Sequence, residues 1–179
     1  MTDHTVLIPN KVAAQTVDSY VRPVISASAL DNGRIVQLNS KSGTTGEGEV
    51  FVATAPSSAS ATHLWMIGEP EMPFATAGDK IYQGLGTIRD FYTSACTVTT
   101  AFQLHEGDII SVTSEALDST TTATYAIPDD SGNYKYKWSA VATTGLILRY
   151  LGTERIPFAS ASSIGAGGLT GYQFEVYKA

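Results

Sequence analysis

The sequence predicts an all-β fold: a single antiparallel β-sandwich or barrel-like domain with an extended N-terminal arm. Three observations predict it. Apolar residues recur with period two, the signature of a strand with one face buried. Clusters of turn formers, such as Asp31-Asn32-Gly33 and Asp129-Asp130-Ser131-Gly132-Asn133, separate these runs at short spacing. β-Branched and aromatic residues fill the runs between the turns. With 179 residues the chain is long enough to bury about 70% of its surface, so a core needs neither disulfide nor metal.

The division expected is an arm over residues 1–19 and a β domain over 20–179. The arm starts polar and then offers an apolar island, Val6-Leu7-Ile8-Pro9. Pro9 has no N–H to donate, so a strand here stops or lies at an edge. Three readings stand. The island adds to the exposed sheet edge of another protein, which makes Val6, Leu7, Ile8 and Pro9 contact residues, or it pairs within its own domain, or it stays disordered. Asn10 is a candidate cap for a short helical turn through Val17.

Within the domain, Asp31-Asn32-Gly33 predicts a tight hairpin between 24–30 and 34–39, since Asn-Gly supplies the positive φ such turns need. Runs 50–53, 64–67 and 146–148 are apolar on both faces, as central strands are. Residues 41–48 read as an exposed tip. Residues 68–80, with Pro70, Met72, Pro73 and Phe74, read as a loop that packs against something. Thr87 to Tyr92 is ambiguous. Further on, Val98, Thr100, Phe102 and Leu104 share one face, with Thr97, Thr99 and Gln103 opposite. The turn Glu106-Gly107-Asp108 precedes a strand over 109–115. Tyr134, Tyr136 and Trp138 alternate with Lys135, Lys137 and Ser139. After an Ala/Ser/Gly-rich stretch at 159–171, Tyr172, Phe174 and Val176 face inward while Gln173 and Glu175 face out. The total is about ten to twelve strands.

Charge narrows the partners. Charged residues make up 16% of the chain and the net charge is −6, while serine and threonine number 17 and 22. No basic cluster exists to neutralise phosphates, which argues against nucleic acid. No apolar run approaches the length of a membrane span. The start lacks the basic and apolar regions of a signal peptide, and the expectation is synthesis in a reducing cytoplasm. Cys96 is the one cysteine, so neither an internal disulfide nor a Cys-based zinc site is expected.

No catalytic constellation stands out, and no enzyme, cofactor or metal is expected. The loop Gly43-Thr44-Thr45-Gly46-Glu47-Gly48 places carboxylate where a phosphate-binding loop needs lysine, and Gly84-Leu85-Gly86 lacks the third glycine. Of His4, His63 and His105, only His105 sits beside an acidic turn, and no Gly-x-Ser-x-Gly elbow accompanies it. The acid pairs Glu47/Glu49, Glu69/Glu71 and Glu106/Asp108 flank Gly or Pro, where acids normally serve as turn residues. Asp129 to Asn133 lacks the alternating ligands of a calcium loop. Tyr134, Tyr136 and Trp138 could stack on sugars, but alternating aromatics in one strand more often form sheet core. A weakly charged, Ser/Thr-rich β domain suits surface contact better than turnover.

Several segments together resemble the auxiliary proteins that decorate or cement the heads of tailed bacteriophages. They are 30–38 (LDNGRIVQL), 48–56 (GEVFVATAP), 102–113 (FQLHEGDIISVT), 125–128 (YAIP) with the Gly132 turn, and 171–176 (GYQFEV). They cover about a quarter of the chain. The resemblance implies a structural virion protein on the capsid exterior, made in the host bacterial cytoplasm. Its partner would be the major capsid protein, and it would be a homo-oligomer, with a trimer among the options. With no basic cluster and no long apolar run, neither nucleic acid nor membrane is expected as a partner. In that family N-terminal extensions reach neighbouring subunits, a role the resemblance offers to residues 1–19. Two other readings stay open: another virion component, such as a head-fibre base or tail protein, and a carbohydrate-binding β-sandwich module.

Overall fold

The computed structural model describes residues 4–43, 48–69, 74–77, 80–83, 88–156 and 168–179. Thirteen strands run through them, with helical structure confined to single 3-10 turns. The all-β class is therefore correct, and the architecture is both of the alternatives at once: a closed barrel packed on an open sheet.

The barrel contains β2 (Val21–Ile25), β3 (Ile35–Lys41), β4 (Phe51–Thr54), β5 (Trp65–Ile67) and β8 (Val98–Gln103), in the order β2-β4-β3-β5-β8. Its pairs are antiparallel except β2 with β4. The open sheet has the order β1-β9-β13-β12-β10-β11 and is antiparallel throughout. Its strands are β1 (Leu7–Lys11), β9 (Ile109–Thr113), β10 (Tyr125–Pro128), β11 (Tyr136–Ser139), β12 (Ile147–Ile156) and β13 (Leu169–Lys178). The strands β6 (Phe74–Ala77) and β7 (Lys80–Gln83) pair only with each other, so part of the expected loop at 68–80 is strand.

Two cores explain the runs that are apolar on both faces. Met66, Ile35, Phe102 and Leu104 leave the barrel wall outward and meet Ile110, Val112, Tyr136, Leu148, Phe174 and Val176 of the sheet. Their immediate neighbours Trp65, Ile67, Val36 and Ala101 turn inward and fill the barrel with Val24 and Ala53. The stretches Ile35–Val36, Trp65–Ile67 and Ala101–Phe102 of these strands are thus buried on both sides, which is why they carry no charge. The same arrangement corrects one expected face: Val98 is exposed, whereas Thr99 is buried beside the barrel core.

Two local expectations fail for topological reasons. The turn at Asp31-Asn32-Gly33 exists, with Gly33 at φ +76, but it closes no hairpin. Strand β4 lies between β2 and β3, parallel to β2, and the Gly33 amide bonds to the Ile67 carbonyl instead. Nor does Asn10 cap a helix: the 3-10 turn Ala13–Gln15 starts after Val12, and the Asn10 side chain donates to the Ser111 hydroxyl.

Of the readings open for the N-terminal island, the structure shows pairing within its own domain. Residues 5–11 are stitched into the open sheet rather than projecting from it. Leu7, Ile8 and Pro9 pair with Val112, Ser111 and Ile110 of β9. Just before them, the Val6 amide donates to Thr113 Oγ1 and the Val6 carbonyl accepts the Thr113 amide. Val6 and Leu7 are buried, so apolar transfer out of water draws the island into its own core. Pro9 does lie at an edge, beside a register shift between Pro9 and Lys11.

Candidate functional site

Local chemistry first fixes the N-terminal segment against the Gly33 turn. The Asp31 carboxylate accepts from the Thr5 amide and from Arg34, and it meets His4 Nδ1 at 2.7 Å. The His4 ring stacks on Tyr92 with centroids 4.6 Å apart. The Gly33 carbonyl accepts the Tyr136 hydroxyl at 2.9 Å, and burial holds that phenol far above its ordinary pKa. A Cβ on Gly33 would meet Val112 Cγ1 at 3.0 Å, so this close approach requires glycine as well as the positive φ.

The anchored segment forms one wall of a cleft of about 410 Å3. Leu7, Pro9 and Val12 supply that wall, and Ala14, Val21 and Phe102 add further apolar lining. Asn32, Glu69 and Thr100 bring polar groups to it. Gly68 lies so near the Phe102 ring that an added Cβ would come within 2.6 Å of it. Asn32, itself buried, clamps the backbone of Glu69: its amide group donates to the Glu69 carbonyl and its carbonyl accepts the Glu69 amide, each at 2.9 Å. The half-buried Glu69 carboxylate then uses Oε2 to accept the Thr100 amide at 2.7 Å and the Thr99 hydroxyl at 3.2 Å. An apolar cleft with a few oriented polar groups is the usual form of a binding site.

The four predicted contact residues divide. Val6 and Leu7 face the interior, Ile8 is half-buried, and Pro9 is exposed on the cleft wall. They do not form one docking face: Leu7 and Pro9 line the cleft, Ile8 alternates to the other side of β1, and Val6 is buried just before the strand begins. Sequence reasoning missed Glu69, read as a turn acid. Its signal lies in Asn32, whose partner is 37 positions away in sequence.

The other candidate residues are engaged structurally. Asp108 accepts the main-chain amides of His105 and Ala13, while His105 Nδ1 lies 3.2 Å from the Gln103 carbonyl and its ring packs on Tyr20. Asp108 therefore holds a turn and does not orient the imidazole. His63 is exposed at φ 55. Asp129 accepts the Ser131 amide and hydroxyl and the Asn133 amide group, which makes its loop a self-satisfied turn. Burial pushes its pKa up, but those hydrogen bonds, with Lys137 nearby, hold it below the ordinary carboxylate value. Glu49 pairs with Lys41 in solvent. Cys96 is exposed in a turn at φ 60. Glu47, Glu71 and the Gly84-Leu85-Gly86 stretch lie outside the described residues.

Of the aromatic ladder, Tyr136 is core, and Trp138 packs edge-on against Tyr150 with centroids 5.3 Å apart, its indole N–H given to the Ser119 carbonyl. Comparison with known proteins gave no match: no family model, curated protein or solved structure is significantly similar to this chain.

Proposed function

We propose that the chain is a structural virion protein that binds the outer surface of a tailed-phage capsid lattice and decorates or stabilises it. The observation that carries the reading is the placement of the resembling segments. They fall on β3, β4, the end of β8 with all of β9, β10 and the middle of β13, strands that contribute to the two packed cores. The resemblance thus follows the strands that build both cores, which would give a lattice-binding surface a rigid support. Contact is made by the folded body, since the N-terminal strand is committed to its own sheet.

The test is co-sedimentation of the purified protein with expanded, empty capsids. Saturable binding at fixed stoichiometry, unaffected by chelators, is expected. No binding to any expanded capsid tried, with binding instead to isolated tails or fibres, would move the protein to another part of the virion. The carbohydrate-binding alternative rests on the half-buried group Trp138, Tyr150 and Tyr172. These rings pack on one another at steep angles rather than presenting a flat platform, which favours a packing role.

A further inference from the structure

We propose that the cleft beside β1 binds a lysine side chain presented by a partner protein. Its walls, Leu7, Val12, Val21 and Phe102, suit an aliphatic stem, because burying methylenes there removes apolar surface from water. Among the described residues that line it, Glu69 is the one ionisable group. Among the described residues no Lys or Arg pairs with that carboxylate. A half-buried carboxylate against apolar walls is completed by a cation that arrives from outside.

The geometry selects lysine over arginine. Oε2 is already occupied by Thr100 and Thr99, which leaves Oε1 as the acceptor for an incoming group. A guanidinium fork reaches full strength by bonding both carboxylate oxygens in parallel. An ammonium is a compact point charge and needs only one. The Asn32 clamp fixes the Glu69 backbone, so the acceptor is positioned before the ligand arrives. The net charge of −6 adds a long-range attraction for a basic partner surface.

This inference stands apart from the capsid reading, because its test contains no particle. The full chain, labelled with nitrogen-15, is titrated with Nα-acetyl-lysine N-methylamide while the amides of Gly68, Thr100 and Phe102 are followed by NMR. Saturable shifts at these amides are expected. The norleucine and arginine analogues should bind at least about tenfold more weakly, and Glu69→Gln should weaken the lysine probe by a similar factor. The analogue series uses the unmodified protein, so it decides the matter even if the variant folds poorly. Absent shifts, or equal binding of norleucine, would overturn the site. Tighter binding of free cadaverine than of the lysine probe would assign it to a small diamine instead of a protein.

Discussion

Phe174 is fully buried between Trp138 and Tyr150, and it stands where alternation along 172–176 placed it. Truncation there removes a ring that the surrounding strands cannot collapse to replace. Phe174→Ala should cost about 3–5 kcal/mol in denaturant unfolding, and a loss under about 1 kcal/mol would contradict the burial. Asp129 gives a second residue-scale prediction. Its pKa is lowered on folding, so its contribution to stability is complete above the ordinary aspartate value near 4. That contribution fades as pH falls through the lower folded value. Asp129→Asn should therefore be less stable than wild type at pH 7, with the gap narrowing as pH falls below about 4 in acid-titrated melts. A gap independent of pH would assign the effect to hydrogen-bond geometry alone. Residues of this kind were legible because the signal is local: period two for Phe174, and Asp-x-Ser-x-Asn turn chemistry for Asp129. Glu69 was not, because the Asn32 clamp and the Thr100 amide reach it across the fold.

At the scale of elements, strands were legible and partners were not. Apolarity on both faces marked 64–67 as central, and the structure gives the reason, since Trp65 and Ile67 serve one core and Met66 the other. The Asp31-Asn32-Gly33 turn was correctly read as a turn and wrongly as a hairpin. A turn specifies local φ and ψ, whereas the neighbour of β3 is chosen by which strands close the barrel. The N-terminal strand poses the same problem. An apolar island ending in proline reads identically whether its sheet belongs to this chain or another, and only tertiary burial decides. The consequence is measurable. Deleting residues 1–10 removes two buried apolar side chains, Val6 and Leu7, each worth about 1.5–3 kcal/mol, along with the buried Thr5 and the ladder to β9. A loss of at least about 3 kcal/mol should lower the melting temperature by about 6–12 °C in a chain of this size. An unchanged melting temperature would restore the detached arm.

At the scale of the whole molecule, barrel and sheet share a core, so neither layer can lose its partner and keep its packing. Phe102 and Leu104 of the barrel and Phe174 and Val176 of the sheet belong to one buried cluster. Separation would expose that cluster to water, and a barrel with an apolar outer flank has no stable existence alone. The two layers should therefore unfold as one cooperative unit. The chain contains two tryptophans, and they report on different layers: Trp65 lies in the barrel core and Trp138 on the sheet. In Trp65→Phe the remaining fluorescence follows the sheet, and in Trp138→Phe it follows the barrel. Either substitution can shift the midpoint itself, so each variant is compared with its own far-UV circular dichroism rather than with the other variant. In both, the fluorescence and dichroism curves against urea should superimpose. If the Trp65 signal instead separates from the dichroism while the Trp138 signal tracks it, the barrel opens before the sheet. The shared core would then hold the layers together without coupling their stability.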